Sequence, residues 1–442
     1  MPDFRSFAAA ACVLAIMLSL FACQQRSVAD RSALRQAAPP AAKSAPVPGA
    51  VTLQPPNGMP ADIGAGTRIA LMLPLSGRDA DLGGSMLRAA QIALFDIAGD
   101  HFILMPYDTK GDPERARAAA GDAVRDGARL ILGPLFSESV RAAAPVARAA
   151  GLNLVPFSNN RNVAENGIFI IGLTPSDQIK RVISFAASRG HRQFAALAPE
   201  SVYGRLVVEE ARDAADRIGG NLSHVEFFAA DGSDLDAAVR RLGRYDHRRN
   251  ALLSQRKSLE GNLDPSASRR LARLKGTETL GEVGFDALLV PVGGARLKQI
   301  AALLPFYDIE TSRTRLLGVS SWLVPGLGRE PPLVGAWFAA PRTDAGADFE
   351  RRYRELYGQA PHDLAALAYD ATALAAVLAR AENGGDFSDI ALTSPNGFAG
   401  TAGIFRFQAN GRIQRGLAVL EVEPWRFREV SPSPETFEAL GN

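Results

Sequence analysis

The chain has 442 residues, of which 47% are hydrophobic, so it is long enough for one large or two medium cores, and disorder throughout is excluded. Its formal net charge of +2 is close to neutral for this length and does not by itself imply a nucleic-acid partner. The two cysteines, Cys12 and Cys23, both lie in the first apolar stretch. The rest of the chain therefore has no thiol for a disulfide, a cysteine-based metal site or a cysteine nucleophile.

The N-terminal segment has the pattern of a secretory signal. An apolar run over 7–22 follows Arg5 and is too short to span a bilayer comfortably. It ends in Leu20-Phe21-Ala22-Cys23, which resembles a bacterial lipobox and predicts lipidation (palmitate) of Cys23 after removal of signal peptide 1–22. The alternative is an ordinary signal cleaved after a small residue. The residue after Cys23 is Gln24 rather than Asp, and in this the chain resembles lipoproteins that are sorted to the outer membrane. We therefore expect a lipid-anchored protein that faces the periplasm.

Residues 23–66 are rich in Ala, Pro, Gly and Ser and show little periodic hydrophobicity. This composition predicts a flexible, partly polyproline tether between the lipid anchor and a folded part. No later stretch reaches the roughly 20 uninterrupted apolar residues that a transmembrane helix needs. The predicted membrane contact is therefore through lipid alone.

From Arg68 onward, short apolar runs alternate with segments of helical spacing, which favours an α/β fold with parallel sheets. Gly133 and the pair Gly293-Gly294 follow strands directly, at the edge where open α/β sheets form ligand crevices. The predicted strands are 68–75, 102–107, 130–132, 152–157, 194–198, 224–228, 285–292 and 315–319, and the predicted helices are 82–97, 112–126, 137–150, 177–187, 204–218 and 296–304.

Several motifs resemble the type 1 periplasmic binding proteins related to branched-chain amino-acid receptors, from about Arg68 to Val422. The resemblance implies two lobes, each a parallel sheet covered by helices: lobe 1 from 67–175 plus 341–407, and lobe 2 from 176–340 plus 408–430. The chain is then expected to cross between lobes near Thr174, Ala340 and Phe407. The matching motifs are Ile69 to Gly77 with Gly83, Tyr107-Asp108, Leu132-Gly133-Pro134, Tyr203-Gly204 and Gly400 to Phe407.

A second resemblance, within that fold, is to the penicillin-binding protein activators, which are outer-membrane lipoproteins. It is carried by the lipobox and tether and by Leu73 to Gly77, Gly133-Pro134-Leu135, Leu173-Thr174-Pro175 and Phe285-Asp286-Ala287. It implies contact with a peptidoglycan synthase and a part in cell-wall synthesis without turnover. The chain departs from that family in having only a tether where an N-terminal helical-repeat domain is expected.

Receptors of this fold hold the ligand carboxylate with a Ser, a Thr and helix-start amides, and by that resemblance Ser137 and Asn159 occupy the corresponding positions. Ser137 is equally placed to cap a helix. Tyr203 fits a cleft position or a structural role, and Arg296 follows the glycine pair. The acid that would hold an ammonium is missing at 320–322, so a free amino acid is not the expected ligand. The candidates favour a small anionic or polar ligand, and an empty, vestigial cleft is the alternative.

A basic segment interrupts lobe 2 between 240 and 275, with eleven Lys or Arg residues against three acids. It predicts either a solvated helical excursion or a docking surface for an acidic partner or an anionic polymer. Aromatic residues are sparse there, which disfavours single-stranded nucleic acid. The five histidines have no zinc-site spacing. No nucleophile elbow or phosphate-binding loop is present, so we expect neither enzyme activity nor a cofactor. A catalytic site assembled only in the folded chain is the alternative.

These observations lead to one preferred function and one alternative. The preferred function is a non-catalytic envelope lipoprotein that activates a bifunctional penicillin-binding protein by protein-protein contact. The alternative is a periplasmic small-ligand receptor that serves a transporter or sensor. Outer-membrane sorting favours the first, because a transport receptor must meet an inner-membrane permease.

Overall fold

A computed structural model describes residues 51–52, 66–262 and 264–437. The predicted signal peptide, Cys23 and most of the predicted tether lie outside this range. The strands are β1 Val51–Thr52, β2 Thr67–Leu73, β3 Phe102–Asp108, β4 Leu130–Leu132, β5 Leu154–Val155, β6 Gln193–Pro199, β7 Asn221–Phe228, β8 Ala287–Leu289, β9 Arg315–Gly318, β10 Trp337–Ala340, β11 Phe398–Gly400, β12 Gly403–Phe407, β13 Ile413–Arg415, β14 Ala418–Val422 and β15 Phe427–Ser431.

The α-helices fall between these strands, mostly where the sequence predicts them. They are α1 Ala80–Ile97, α2 Pro113–Arg125, α3 Ser137–Ala149, α4 Pro175–Ser188, α5 Val202–Arg217, α6 Leu235–Leu242, α7 Tyr245–Leu259, α8 Pro265–Leu274, α9 Gly294–Phe306, α10 Asp344–Tyr357, α11 Ala365–Leu378 and α12 Asp389–Leu392.

Lobe 1 is built on a parallel sheet of order β3-β2-β4-β5. Its central strand is covered on both faces, and residues Ile69–Leu73 have no exposed surface, as their continuous apolar run predicts. Helix α1 starts very close to the end of β2: a Cβ on Gly83 would lie 2.1 Å from the Pro74 carbonyl oxygen. Only glycine allows this approach. Gly204 has the same relation to Pro199 in lobe 2, at 1.9 Å.

A second, small sheet of order β1-β11-β12-β13 also belongs to lobe 1. The chain was expected to leave lobe 1 near Phe407, but it stays there through Arg415, because β13 pairs antiparallel with β12. The β12–β13 turn contains Gly411 with φ +75°, and its carbonyl oxygen accepts a hydrogen bond from the Ile170 N–H at 3.0 Å. In β1, two residues of the predicted tether pair with β11.

Lobe 2 has one seven-stranded sheet of order β15-β14-β10-β9-β8-β6-β7. The five strands from β10 to β7 are parallel, whereas β14 and β15 are antiparallel additions at one edge. Apolar residues are buried on both faces of this sheet. The predicted two-lobed α/β fold is confirmed, with a mixed rather than purely parallel sheet in lobe 2.

Three segments join the lobes, at 171–174, 340–343 and 415–418. A fully buried pair, Arg415 and Asp370, ties two of them together. The Arg415 guanidinium donates to the carbonyl oxygens of Ile171 and Ala402, at 3.0 and 3.3 Å. The Asp370 carboxylate accepts from the Thr401 N–H and hydroxyl, both at 2.7 Å. The second Asp370 oxygen accepts from the Ala402 N–H at 3.2 Å, so both carboxylate oxygens have partners, which makes the burial of Asp370 tolerable.

The basic segment forms helices α6, α7 and α8, as the helical alternative predicts. Arg248 anchors α7, since its buried guanidinium donates to the carbonyl oxygens of Gly243 and Tyr307 at 2.8 and 2.9 Å. Ala267 is the buried residue of α8, and Arg269, Arg270 and Arg273 point to solvent. Within the described residues, none of these three guanidinium groups has an ion-pair or hydrogen-bond partner. The excursion therefore carries unneutralised positive charge.

Candidate functional site

The candidate site is a cleft of about 730 Å³ between the lobes. Leu135 and Phe157 line it from lobe 1, just beyond the ends of β4 and β5, and Pro291 and Val319 line it from lobe 2, just beyond β8 and β9. The cleft is therefore at the carboxyl ends of the parallel strands, where open α/β sheets bind ligands. Its volume is in the range of small-molecule sites.

Most of the cleft wall is apolar, with polar groups at a few positions. Three phenylalanines contribute, of which Phe157 and Phe349 are almost fully buried and Phe136 is half-buried. Leu173 and Val292 extend the apolar surface. A mainly apolar wall with a few placed polar groups is typical of sites that enclose a small organic molecule.

The wall formed by the loop after β9 is held rigidly. Trp322 is fully buried and donates its indole N–H to the Val292 carbonyl oxygen at 2.8 Å. The N–H of Ser320 donates to the side-chain oxygen of Gln178 at 2.7 Å, and the Gln178 amide donates to the Thr174 carbonyl oxygen at 3.1 Å. Gln178 thus joins this loop to the first segment that crosses between the lobes. No sequence motif pointed to Gln178.

Two of the four predicted ligand residues, Asn159 and Tyr203, line the cleft. Asn159 is exposed, and its side chain has no hydrogen-bond partner within the part of the chain that the structure describes. The Tyr203 hydroxyl donates to the Pro291 carbonyl oxygen at 3.0 Å, and burial raises the pKa of Tyr203 to about 12. The Tyr203 hydroxyl therefore makes a structural hydrogen bond, while the side chain forms part of the cleft wall.

The other two predicted residues, Ser137 and Arg296, do not line the cleft. Ser137 is the first residue of α3, one past the cap position Phe136, and its hydroxyl lies 3.2 Å from that of Ser158, so the prediction that it caps the helix is wrong. Arg296 is turned toward a neighbouring loop, where it donates to the Asp231 carbonyl oxygen at 2.5 Å. It packs so closely on Gly232 that a Cβ there would lie 1.5 Å from the guanidinium.

The sequence reasoning also missed three ionisable cleft residues, which are Glu350 on α10, and His362 and Asp363 on the loop before α11. The Glu350 carboxylate accepts from Arg354 at 3.2 Å with its side chain about half exposed (53%), and Asp363 is exposed. They belong to the part of lobe 1 that follows the second crossing. A helix that starts directly after a crossing begins near the cleft, and that signal could have pointed to α10.

Across 66–262 and 264–437, no helix is long and apolar enough to cross a bilayer. In the same ranges, no group of three or more His, Cys, Asp or Glu side chains could hold a metal ion.

Comparison of the sequence with known proteins gives partial matches. Residues 66–246 match a family model described as periplasmic binding protein. An uncharacterized protein of Rickettsia prowazekii is 28% identical over 174 residues, which is 39% of this chain and 46% of the relative. The Leu/Ile/Val/Thr-binding protein of Salmonella typhimurium is 24% identical over 186 residues, or 40% of this chain and 51% of the relative. The chain thus matches these curated relatives over about half of their length.

Solved structures match over most of the chain. A protein from Rhodospirillum rubrum assigned to branched-chain amino acid ABC transport gives a TM-score of 0.64 at 19% identity, covering 83% of this chain and 100% of that one. The substrate-binding protein LivJ of Streptococcus pneumoniae, in complex with isoleucine, gives 0.53 at 20% identity, with 83% and 100% coverage. At such identities the likeness concerns the fold. The relatives named for a function are binding proteins, and the prediction that the chain is not an enzyme is confirmed at that level.

Proposed function

Starting from the type 1 periplasmic-binding-protein fold that the chain shares with these structures, we propose that it is a non-catalytic binding protein whose interlobe cleft takes a small organic ligand. The observation that carries the proposal is the cleft itself, a space of about 730 Å³ with a mainly apolar wall and a few polar groups. Its loop wall is fixed by Trp322 and Gln178, so little ordering is needed when a ligand binds. The name of the Salmonella relative supports a small ligand.

A thermal-shift screen with a diverse small-molecule library tests this proposal. A saturating ligand stabilises the folded state by about 2.7 kcal/mol at a hundred times its Kd, which moves Tm by several degrees. The variant Ser321→Trp fills part of the cleft from an exposed wall position. Ser268→Trp on the solvent face of α8 is the matched control. Ligands should stabilise the wild type and the control but not Ser321→Trp. Equal responses in all three proteins would refute a cleft site.

We further propose that the chain is anchored in the outer membrane through lipid on Cys23 and faces the periplasm. The lipobox-like Leu20 to Cys23 and the following Gln24 support this. Cys23→Ser should remove palmitate labelling and release the protein to the soluble periplasmic fraction, while Cys12→Ser, in the same apolar run, should leave both unchanged. Membrane retention of Cys23→Ser would contradict the anchor.

The second candidate function is activation of a peptidoglycan synthase, favoured by the unpaired cations of α8. A local field of like charges attracts an acidic partner and weakens as salt is added. Arg269→Glu combined with Arg273→Glu should weaken binding to the organism's bifunctional penicillin-binding proteins and slow glycan synthesis. Arg115→Glu combined with Arg212→Glu, on exposed faces of α2 and α5, is the matched control. No binding by the wild type would remove this candidate.

A further inference from the structure

The interlobe cleft has a one-sided charge. Two carboxylates, Glu350 and Asp363, are among the described residues that line it, and no lysine or arginine is. Asp363 has no hydrogen-bond or ion-pair partner within the described chain. Glu350 is paired with Arg354 on the same helix, and His362 also lines the cleft. A charged ligand would therefore meet negative charge from lobe 1, chiefly from Asp363, and no basic side chain from lobe 2.

Aromatic rings add to this preference. The wall contains Phe136, Phe157, Phe349 and Tyr203. Aromatic faces carry a negative quadrupole and attract ammonium groups, an attraction that grows when water is excluded. Phe349 immediately precedes Glu350 on α10, so a ring and a carboxylate come from consecutive residues of one helix.

Most of the groups that the receptor resemblance assigned to an anion lie outside the cleft wall. Helices α3 and α9 begin beside it and their cap residues Phe136 and Gly293 line it, but residues 137–139 and 294–296 of their first turns do not. The first turn of α11 lines the cleft with Ala366 and Leu367, which carry no charge. The Arg296 guanidinium is engaged by Asp231 and Gln299. A carboxylate ligand would therefore lose its hydration without gaining a charged partner.

We propose that the ligand of this cleft is an organic cation, a protonated amine on an apolar or aromatic body. This inference rests on the proposed function and specifies the ligand class for the same cleft. It replaces the expectation of an anionic ligand, which depended in part on Ser137 and Arg296. The carboxylates of Glu350 and Asp363 select the charge, and the phenylalanines accept the body.

Three probes with a common indole body and different charge test the proposal: tryptamine (cation), tryptophol (neutral) and indole-3-acetate (anion). Isothermal titration with the soluble mature protein should rank tryptamine tightest and indole-3-acetate weakest. The double variant Glu350→Gln/Asp363→Asn should weaken tryptamine by about tenfold, as two partly exposed charge pairs allow, and leave tryptophol unchanged. Asp348→Asn, an exposed carboxylate on the same helix that does not line the cleft, is the control.

Indole-3-acetate binding as tightly as tryptamine, or tryptamine affinity that survives in the double variant, would overturn the charge inference. Both results would leave the cleft as a binding site. If tryptamine does not bind while a neutral or anionic compound of the screen does, the inference also falls and the proposed function stands. If no compound of any charge binds, both fall together.

Discussion

Gly318→Ala should destabilise lobe 2 although alanine normally suits a strand better than glycine. A Cβ at position 318 would lie 2.2 Å from the ring of Trp322, and ordinary contact begins at 3.4 Å, so the fully buried indole must move by about 1.2 Å. Overpacking of this kind costs about 1–3 kcal/mol. Displacement of the ring also breaks its hydrogen bond to the Val292 carbonyl oxygen, which adds about 1–2 kcal/mol. We expect a loss of about 3–4 kcal/mol.

Urea unfolding followed by tryptophan fluorescence measures this loss for lobe 2 specifically, because all three tryptophans, at 322, 337 and 425, belong to that lobe. The midpoint should fall by about 1 M urea. Gly276→Ala is the matched control, since nothing lies within 4 Å of its added Cβ, and it should change stability by less than about 1 kcal/mol. A Gly318→Ala protein as stable as the control would refute the view that Trp322 fixes the cleft wall. Weaker ligand binding should accompany the loss.

Three further outcomes are expected from other contacts. Burial raises the pKa of Asp177 to about 6, so the folded protein keeps a proton that the unfolded chain loses above about pH 4. The free energy of unfolding should therefore fall as pH rises from about 4 to 6. In urea unfolding, Asp177→Asn should be about 2 kcal/mol more stable than the wild type at pH 7, and its stability should not fall between pH 4 and 6. Arg161→Ala should cost about 3–5 kcal/mol in urea unfolding, because it leaves the buried Glu210 carboxylate of the other lobe unpaired, and a loss below 1 kcal/mol would contradict this. Tyr203→Phe should cost about 1 kcal/mol in the same assay, through the bond to Pro291.

The strands and helices could be predicted because their signals are local. The run Ile69 to Leu73 has no polar residue, and such a run has few alternatives to a buried parallel strand. The turn before β13 could have been found as well, since Asn410-Gly411 is a strong hairpin signal. The receptor resemblance implies a crossing near Phe407, whereas the hairpin of β12 and β13 extends to Arg415.

The composition of the cleft wall was harder to predict because it depends on contacts between distant parts of the chain. Arg296 stands at the right place in the sequence, but its direction is decided by Gly232, a residue more than sixty positions away. Glu350 and Asp363 return to the cleft only because the chain crosses back into lobe 1. Sequence spacing does not encode that proximity. Asn159 and Tyr203 were found through the receptor resemblance, which gives positions that follow the strands of the predicted sheet.

The three crossings between the lobes also constrain how the chain can mature. The parallel sheet of lobe 1 begins at Thr67, yet α11, which packs against α1, and strands β11 to β13 of the small sheet come from the last quarter of the chain. The sheet of lobe 2 is likewise incomplete until β14 and β15 have been made. Neither lobe can complete its core while the C-terminal part is still unmade, and the apolar face of α1 stays uncovered until then. A chain truncated before β11 would thus be expected to lose both lobes at once, and a growing chain would expose aggregation-prone apolar surface until these strands are made.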